Sequence, residues 1–304
     1  MVYVERIRLK KKEYYKLVHT IRKGKKITHK SKYLGKVLPS KERLEQLKKE
    51  FLKEIVEGRF KYFSKEDVEK IEDKKRTYKK ELDKLSTSER KNKLKEFVIR
   101  FTYDSSKLSG ARITLRQTSL ILKEGVIPEN FKNLRTAREL ENHERGIIAI
   151  TQYKGILDLK FIKRLHKILF SGVEDEIAGK LRSELKRDVK IAGTSYVPPK
   201  WNVLDKELKN FLRWYKSENR KLHPVELATL VHLKLISIQP FVDGNSRLSR
   251  LLMNWILWKK GYPLIDIPIE DIEEYYNVLD KFQIEKDEKQ FIEYIKKKFL
   301  EGID

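Results

Sequence analysis

The sequence contains no cysteine, only 2 methionines and 6 glutamines, and no apolar run near the roughly 18 residues that a membrane-spanning helix needs. Without cysteine there are no disulfides, thiolate metal sites or cysteine nucleophiles, which suits a reducing compartment. Residues 1–12 also lack the continuous apolar stretch of a secretory signal. We therefore expect a cytoplasmic protein without a membrane-spanning segment.

Charge, in contrast, is abundant and uneven: the 304 residues carry 69 Lys/Arg and 45 Asp/Glu, for a net charge of +24. The first 40 residues alone hold 13 basic and 2 acidic side chains, a net charge of +11. Such a segment attracts polyanions such as nucleic acid. Abundant Lys and Glu with few Gln, Asn and Met are typical of thermophile proteins, and this bias explains the overall charge better than the excess in residues 1–40.

Three segments of different character follow one another along the chain, and the whole is predicted to be mainly α. Residues 1–38 cluster β-branched and aromatic residues between turn residues, which predicts a small basic β-meander of two or three strands. Residues 39–96 carry sparse apolar positions, which predicts a charged helical connector. Residues 97–304 show helical spacing almost throughout, and only residues 188–200, with a turn at Gly193, predict a β-hairpin.

The basic meander is a candidate nucleic-acid interface, because lysines and arginines alternate there with tyrosines. Basic side chains contact phosphate and tyrosines can stack on bases. The candidate contacts are Lys10, Lys11, Lys12, Arg22, Lys23, Lys25 and Lys26. The alternative is that these residues form an ordinary solvated charged face.

The most informative stretch, residues 238–250, joins two predicted helices. Pro240 ends the first helix, and the next one begins near Ser246. Free backbone N–H groups at such a helix start favour an anion. Gly244 allows the backbone to approach a ligand closely.

Three charged side chains in this stretch complete a candidate anion site. Arg247 and Arg250 lie three residues apart, so they share a helix face and can reach the same anion. Asp243 is placed where a carboxylate could hold Mg²⁺ against phosphate oxygens. The residues thus point to a polyphosphate site with its metal, and the alternative is a helix–loop–helix with surface arginines.

Residues 239–250, with the sequence QPFVDGNSRLSR, resemble the signature loop of Fic-domain proteins, whose pattern is His-Pro-Phe-x-Asp/Glu-Gly-Asn-Gly-Arg-x-x-Arg. The resemblance extends over about residues 97–300. Its other parts are a helix at Asp158–Leu169 with His166, a Gly-x-x-Arg turn at Gly179–Arg182, a flap at Val189–Trp201, and helices at Pro224–Ile238, with His232, and Leu251–Tyr262.

The resemblance implies a Fic-type helical core with a β-hairpin flap, and transfer of AMP from ATP to a Ser, Thr or Tyr hydroxyl of a target protein. It implies ATP and Mg²⁺ as ligands, with the metal on Asp243. The implied nucleotide-binding residues are Gly244, Asn245, Ser246, Arg247 and Arg250, with Tyr276 near the adenine. The implied target-binding residues of the flap are Gly193, Thr194, Ser195 and Tyr196.

Three positions depart from the pattern of these proteins. Gln239 replaces the catalytic His, and its amide cannot take a proton from the attacking hydroxyl. Loss of a general base costs roughly 10²–10⁴-fold in rate. Ser246 replaces a Gly of the loop, and Ser109 occupies the position of an inhibitory Glu. Together these changes predict a nucleotide-binding protein with impaired or lost catalysis.

Two other interpretations remain open at this point. The chain could be an active nucleotidyl- or phosphotransferase that uses another base, for which His232 is the candidate. It could also be a nucleic-acid-binding adaptor that acts through residues 1–95, with the remainder as scaffold. The sequence leaves both a target protein and an oligomer open.

Overall fold

The structure is a computed structural model of the chain. It describes residues 2–9, 12–23, 26–57, 61–128, 131 and 133–302. The chain divides into two compact units, residues 1–65 and residues 66–304. Residues 66–96 of the predicted charged connector therefore belong to the second unit. None of the helices in the described ranges combines the length and apolar character that crossing a membrane requires.

The first unit is a three-stranded antiparallel sheet with one helix, which confirms the predicted meander. Leu9 pairs with Lys12 and Lys23 pairs with Lys26, so two residues connect each pair of strands. Leu17 on the central strand is fully buried and packs with Val2 and Phe51. The elements are β1 (Val2–Leu9), β2 (Lys12–Lys23), β3 (Lys26–Gly35) and α1 (Lys41–Glu57).

The second unit is helical, as expected. Its α-helices are α2 (Lys65–Lys84), α3 (Thr87–Lys107), α4 (Leu115–Ser119), α5 (Leu134–Gln152), α6 (Leu159–Phe170), α7 (Arg182–Leu185), α8 (Leu204–Glu218), α9 (Pro224–Ile238), α10 (Asn245–Lys259), α11 (Ile272–Asp280) and α12 (Lys289–Glu301). Short 3₁₀ turns lie at Trp201–Val203 and Ile269–Asp271, and π-helical turns at Leu120–Glu124 and Lys281–Glu285.

The buried pair α9 and α10 forms the centre of the second unit. The α9 sequence, PVELATLVHLKLISI, is apolar around most of its circumference, as a helix enclosed on all sides requires. Helix α10 packs against α9, α5, α6 and α3. The loop between α9 and α10 therefore opens from the buried centre of the second unit.

Charged groups attach helix α2 to the rest of the second unit, although its sequence resembles a solvated connector. Glu72 accepts hydrogen bonds from Tyr262 and His223, and Asp67 pairs with Lys296 at 2.9 Å. Ile71 is fully buried. A sequence pattern with sparse apolar positions does not reveal such polar attachment.

The predicted hairpin at residues 188–200 forms its turn but not its strand pairing. Gly193 has the positive φ of +81° that the turn requires. The residues on either side are not assigned to strands. Pro198 and Pro199 have no N–H to donate to a ladder. The expectation of paired strands in the flap is therefore wrong in this structure.

The helical spacing at the C-terminal end of residues 97–304 does not correspond to one continuous helix. Lys286 adopts a left-handed φ of 62° after a π-helical turn, and the chain restarts as a new helix at Lys289. A residue in this conformation ends a helix, because the next N–H groups turn away from its axis. Apolar spacing alone did not reveal the break.

Candidate functional site

Residues 239–244 connect α9 to α10 through two residues with positive φ. Gln239 ends α9 at φ 50° and ψ 62°, and Gly244 begins α10 at φ 75°. The first intrahelical bond of α10 runs from the Leu248 N–H to the Gly244 carbonyl at 3.0 Å. The N–H groups of the three residues between them are left without a helical partner, so this end of α10 favours an anion.

The side chain of Asn245 holds the loop together. Its Oδ1 accepts from the Phe241 N–H at 2.9 Å, and its Nδ2 donates to the Phe241 carbonyl at 2.8 Å. The same Nδ2 donates to Gln239 Oε1 at 2.6 Å. Arg182 Nε donates to the Gln239 carbonyl at 2.5 Å. Hydrogen bonds from Asn245 and Arg182 thus hold the side-chain amide and the backbone carbonyl of Gln239.

Gly244 lies against Phe170 at the end of α6. A Cβ built on Gly244 would lie 2.3 Å from Cε2 of Phe170, so the loop can approach α6 only without a side chain at this position. His166 supports the loop from the same helix. Its ring stacks on Phe241 at 3.7 Å between centroids, with 5° between the planes.

The hydrogen bonds of His166 fix its protonation. The Gly179 N–H donates to Nδ1 at 2.9 Å, so Nδ1 carries no proton. Nε2 must then carry the proton, and it donates to the Asp243 carbonyl at 3.0 Å. Burial lowers the pKa of His166 to about 4, because the charged imidazole would lose its hydration. His166 is therefore a neutral structural support for the loop.

Arg247 is buried at the start of α10, with 7% of its side chain exposed. Its guanidinium lies over the Phe170 ring at 5.1 Å from the centroid, and its Nη atoms lie 3.4 Å from Glu139 and 3.7 Å from Asp243. Its buried Nε finds no hydrogen-bond partner among the described residues. This buried guanidinium N–H is thus a donor that can serve an anionic ligand.

Arg250 is completely buried, and serines surround its guanidinium. Nε donates to Ser105 Oγ and Nη2 to the Ser105 carbonyl, both at 2.8 Å. Nη2 also reaches Ser109 Oγ at 3.3 Å, and Nη1 donates to Ser246 Oγ. Ser109 and Ser246 are two of the three positions that depart from the Fic pattern. We call Ser105, Ser109 and Ser246 the serine cage.

Asp243 is the residue of the loop that fits a cation. Its carboxylate is 59% exposed, and Oδ1 accepts from the Gly244 N–H at 2.6 Å. Across the described ranges, no group of three or more His, Cys, Asp or Glu side chains is arranged to hold a metal ion. One carboxylate fits Mg²⁺ when phosphate oxygens and waters supply the remaining ligands.

Comparison with known proteins identifies this arrangement. A family model described as the Fic/DOC family matches residues 156–257, which contain α6 through most of α10. The chain is a Fic-domain protein. It is 34% identical over 205 residues to the proteins named protein adenylyltransferase Fic from Drosophila melanogaster and Drosophila sechellia. Those residues are 66% of this chain, which spans about 40% of the length of these relatives.

Solved structures carry the same Fic fold. A Fic-domain-containing signaling protein from Bacteroides thetaiotaomicron matches with a TM-score of 0.68 and 28% identity, over 77% of this chain and 93% of that chain. Fic-1 from C. elegans matches with a TM-score of 0.66 over 86% of this chain and 75% of that chain, at 22% identity. The mainly α fold expected from the sequence is confirmed.

His232, the candidate substitute base in this Fic domain, is in the wrong environment for that role. It is fully buried within α9, and its Nε2 forms a hydrogen bond with the Tyr275 hydroxyl at 3.0 Å. Burial and the charge of Arg250 lower the pKa of His232 to about 3. A base near neutral pKa is needed to accept a hydroxyl proton efficiently. The interpretation that His232 replaces the motif His has no support in this geometry.

The flap of the Fic domain is anchored by two of its predicted target-binding residues. Thr194 donates to Asp280 at 2.8 Å, and the Tyr196 hydroxyl donates to the Ser237 carbonyl at 2.9 Å. Ser195 is exposed and Gly193 has nothing within 4 Å of its potential Cβ. The tip of the flap is thus open, while the residues that follow it are attached to α11 and α9.

Tyr276, predicted to lie near the adenine, is attached to the end of α3. Its hydroxyl donates to the Leu108 carbonyl at 2.8 Å, beside the Ser109 position. The ring remains 39% exposed. The residue is therefore near the serine cage, and its contact with an adenine stays a prediction.

The structure describes little of the candidate nucleic-acid contacts. Lys10, Lys11 and Lys25 lie outside the described residues. Four more occupy strand positions of which only the backbone is described, namely Lys12, Arg22, Lys23 and Lys26. Their role stays a prediction from charge.

Sequence reasoning missed three site residues that come from distant parts of the Fic domain. Glu139 of α5 reaches Arg247 over 108 residues, and Ser105 of α3 reaches Arg250 over 145 residues. Asp280 of α11 holds Thr194 of the flap. Ser105 lies four residues before Ser109, whose position the resemblance marked, whereas no local signal marked Glu139 or Asp280.

Proposed function

We propose that this protein binds ATP or ADP at the start of α10 and that its transfer of AMP to protein hydroxyls is impaired or lost. The observation that carries the proposal is the pairing of two features. Arg247 has a buried Nε without a described partner at a helix N-terminus, and Gln239 beside it has no group that accepts a proton. These two features support an anion site next to a position without a base.

Mg²⁺ fits the proposal as a companion of the nucleotide, held by Asp243. When bound, it would neutralise charge on the phosphate oxygens. Arg247 would donate hydrogen bonds to the phosphates, and Arg250 would add its positive charge from behind the serine cage. The flap, with its open tip at Gly193 and Ser195, would receive a target protein.

In AMP transfer a target hydroxyl oxygen forms a bond to the α-phosphorus, the bond from that phosphorus to the bridging oxygen breaks, and pyrophosphate leaves. The hydroxyl proton must pass to a base. Neither Gln239 nor the buried His232 can take it near neutral pH. The rate should therefore be low by roughly 10²–10⁴-fold relative to a Fic domain with its base.

The experiment is transfer of α-labelled AMP from Mg-ATP to protein, with Gln239→His against Gln239→Ala. Both variants remove the amide, but only Gln239→His introduces a base, so it alone should raise transfer by about 10²-fold or more over wild type. Parallel assays with γ-labelled ATP would reveal phosphate transfer by wild type. Vigorous AMP or phosphate transfer by wild type would instead establish an active enzyme with another base.

A further inference from the structure

The orientation of the Gln239 amide follows from a chain of hydrogen bonds that begins at the backbone. The Phe241 N–H can only donate, so the Asn245 atom at 2.9 Å from it must be the amide oxygen. The Asn245 nitrogen then faces the Phe241 carbonyl at 2.8 Å, which can only accept. Both contacts agree, and the orientation of Asn245 does not depend on a choice between similar atoms.

The contact with Asn245 in turn fixes the orientation of the Gln239 side-chain amide. Because Asn245 Nδ2 only donates, the Gln239 atom at 2.6 Å from it must be the oxygen Oε1. The nitrogen Nε2 is therefore on the other side of the amide, with two N–H groups. In the part of the chain that the structure describes, Nε2 has no hydrogen-bond partner, and Gln239 is half-buried rather than enclosed.

The backbone of Gln239 holds this orientation in place. Its left-handed φ of 50° ends α9, and Arg182 Nε donates to its carbonyl. Arg182 is itself fully buried and also donates to the Pro199 carbonyl at 2.8 Å. The side chain thus projects from a fixed point, with its acceptor used and its donors free.

We propose that Gln239 is a ligand-binding residue, which donates a hydrogen bond from Nε2 to an oxygen of a phosphate group bound at the start of α10. The identity of that phosphate as part of a nucleotide rests on the function proposed above. Other donors lie at this end of α10, namely its first N–H groups and the partnerless Nε of Arg247. The carboxylates of Glu139 and Asp243 also lie here, 3.4 Å and 3.7 Å from the Nη atoms of Arg247. Several donors around one space favour an anion.

This orientation has a second effect on chemistry. A hydroxyl that approached Nε2 would accept the amide hydrogen bond on its oxygen. One of the two lone pairs of the hydroxyl oxygen would then be engaged, which makes the oxygen a weaker nucleophile in addition to the lack of a base. The position that holds a proton acceptor in the Fic pattern is here built to bind a product-like or substrate-like anion.

The test is calorimetric titration of wild type, Gln239→Ala and Gln239→Glu with inorganic pyrophosphate and, separately, with Mg-ATP. Gln239→Glu keeps an oxygen for Asn245 but places a second acceptor where Nε2 was. We expect Gln239→Ala to weaken pyrophosphate binding about tenfold, the range for one charge-assisted hydrogen bond, and Gln239→Glu to weaken it further. Equal affinities for wild type and Gln239→Glu would overturn the assignment.

The two ligands separate this inference from the proposed function. Pyrophosphate binding that depends on Gln239, without ATP binding, would leave the Gln239 role intact and remove the nucleotide function. ATP binding that neither variant changes would do the opposite, and no binding of either ligand would overturn both. In wild type, the side-chain amide protons of Gln239 should shift in ¹⁵N-edited NMR spectra on addition of pyrophosphate, and unchanged resonances would contradict the proposal whatever the variants' stability.

Discussion

Replacing Gly244 with Ala should cost stability for two separate reasons. The native φ of +75° lies in the left-handed region, where a residue with a Cβ pays about 1 kcal/mol or more in backbone strain. The new Cβ would also lie 2.3 Å from Phe170 Cε2, far inside the ~3.5–4 Å of a normal carbon contact. Phe170 is fully buried, so it cannot swing into solvent.

Gly193 provides a matched control that isolates the clash. Its φ of +81° imposes the same strain, but nothing lies within 4 Å of its potential Cβ. Overpacking in a buried site typically costs about 1–3 kcal/mol. We therefore expect Gly244→Ala to lower the free energy of unfolding by about 1–3 kcal/mol more than Gly193→Ala does.

The measurement is urea unfolding followed by the fluorescence of the four tryptophans, which include the buried Trp255 on α10, with midpoints compared at constant slope. In a Phe170→Ala background the clash should be absent, so Gly244→Ala should lower the free energy of unfolding only by its backbone strain. Equal midpoints for Gly244→Ala and Gly193→Ala would refute the reasoning that Gly244 is required for close approach to α6.

Two further predictions concern pH and nucleic acid. Folding lowers the pKa of His166 to about 4, so below about pH 6.5 the unfolded chain takes up a proton that the folded chain does not. This difference should lower the free energy of unfolding by about 2 kcal/mol between pH 7 and pH 5. His166→Gln should make the urea midpoint depend less steeply on pH. Some dependence in the same direction should remain, because the pKa values of His143 and His232 are also lowered. An unchanged pH dependence would contradict the assignment of a neutral His166 imidazole. Replacing Lys10, Lys11 and Lys12 with Glu should weaken salt-sensitive DNA retention several-fold, because fewer counterions are released. Equal weakening by the same changes at the exposed α8 lysines would assign the effect to overall charge alone; these control positions are Lys206, Lys209 and Lys216.

Local signals made much of the fold predictable. Helix α9 begins at Pro224 and ends just before Gln239-Pro240, as the two prolines indicate, and α6 begins directly after Asp158, which caps it through the Phe161 N–H. The flap was less predictable, because strand-like composition does not guarantee pairing. Its side chains bind to α11 and α9 instead of forming a ladder.

The candidate site shows the same division between local and distant information. The anion-binding loop lies within thirteen consecutive residues, so its donors and turn residues could be identified together. Besides Asp243 and Ser246 of the loop and helix start, Arg247 and Arg250 have partners from α5 and α3, more than 100 residues earlier. Only folding brings Glu139 and Ser105 to these arginines, and spacing along the chain carries no information about such contacts.

The serine cage leaves the charge of Arg250 without a carboxylate among its described hydrogen-bond partners. Hydroxyl and carbonyl oxygens satisfy the N–H groups of the guanidinium, but they do not cancel its unit charge. A buried charge is screened by dissolved ions far less than an exposed one. Anion binding by the Fic domain should therefore persist at salt concentrations that weaken anion binding by the lysines of residues 1–40. Raising the ionic strength should then distinguish the two kinds of anion binding in this basic chain.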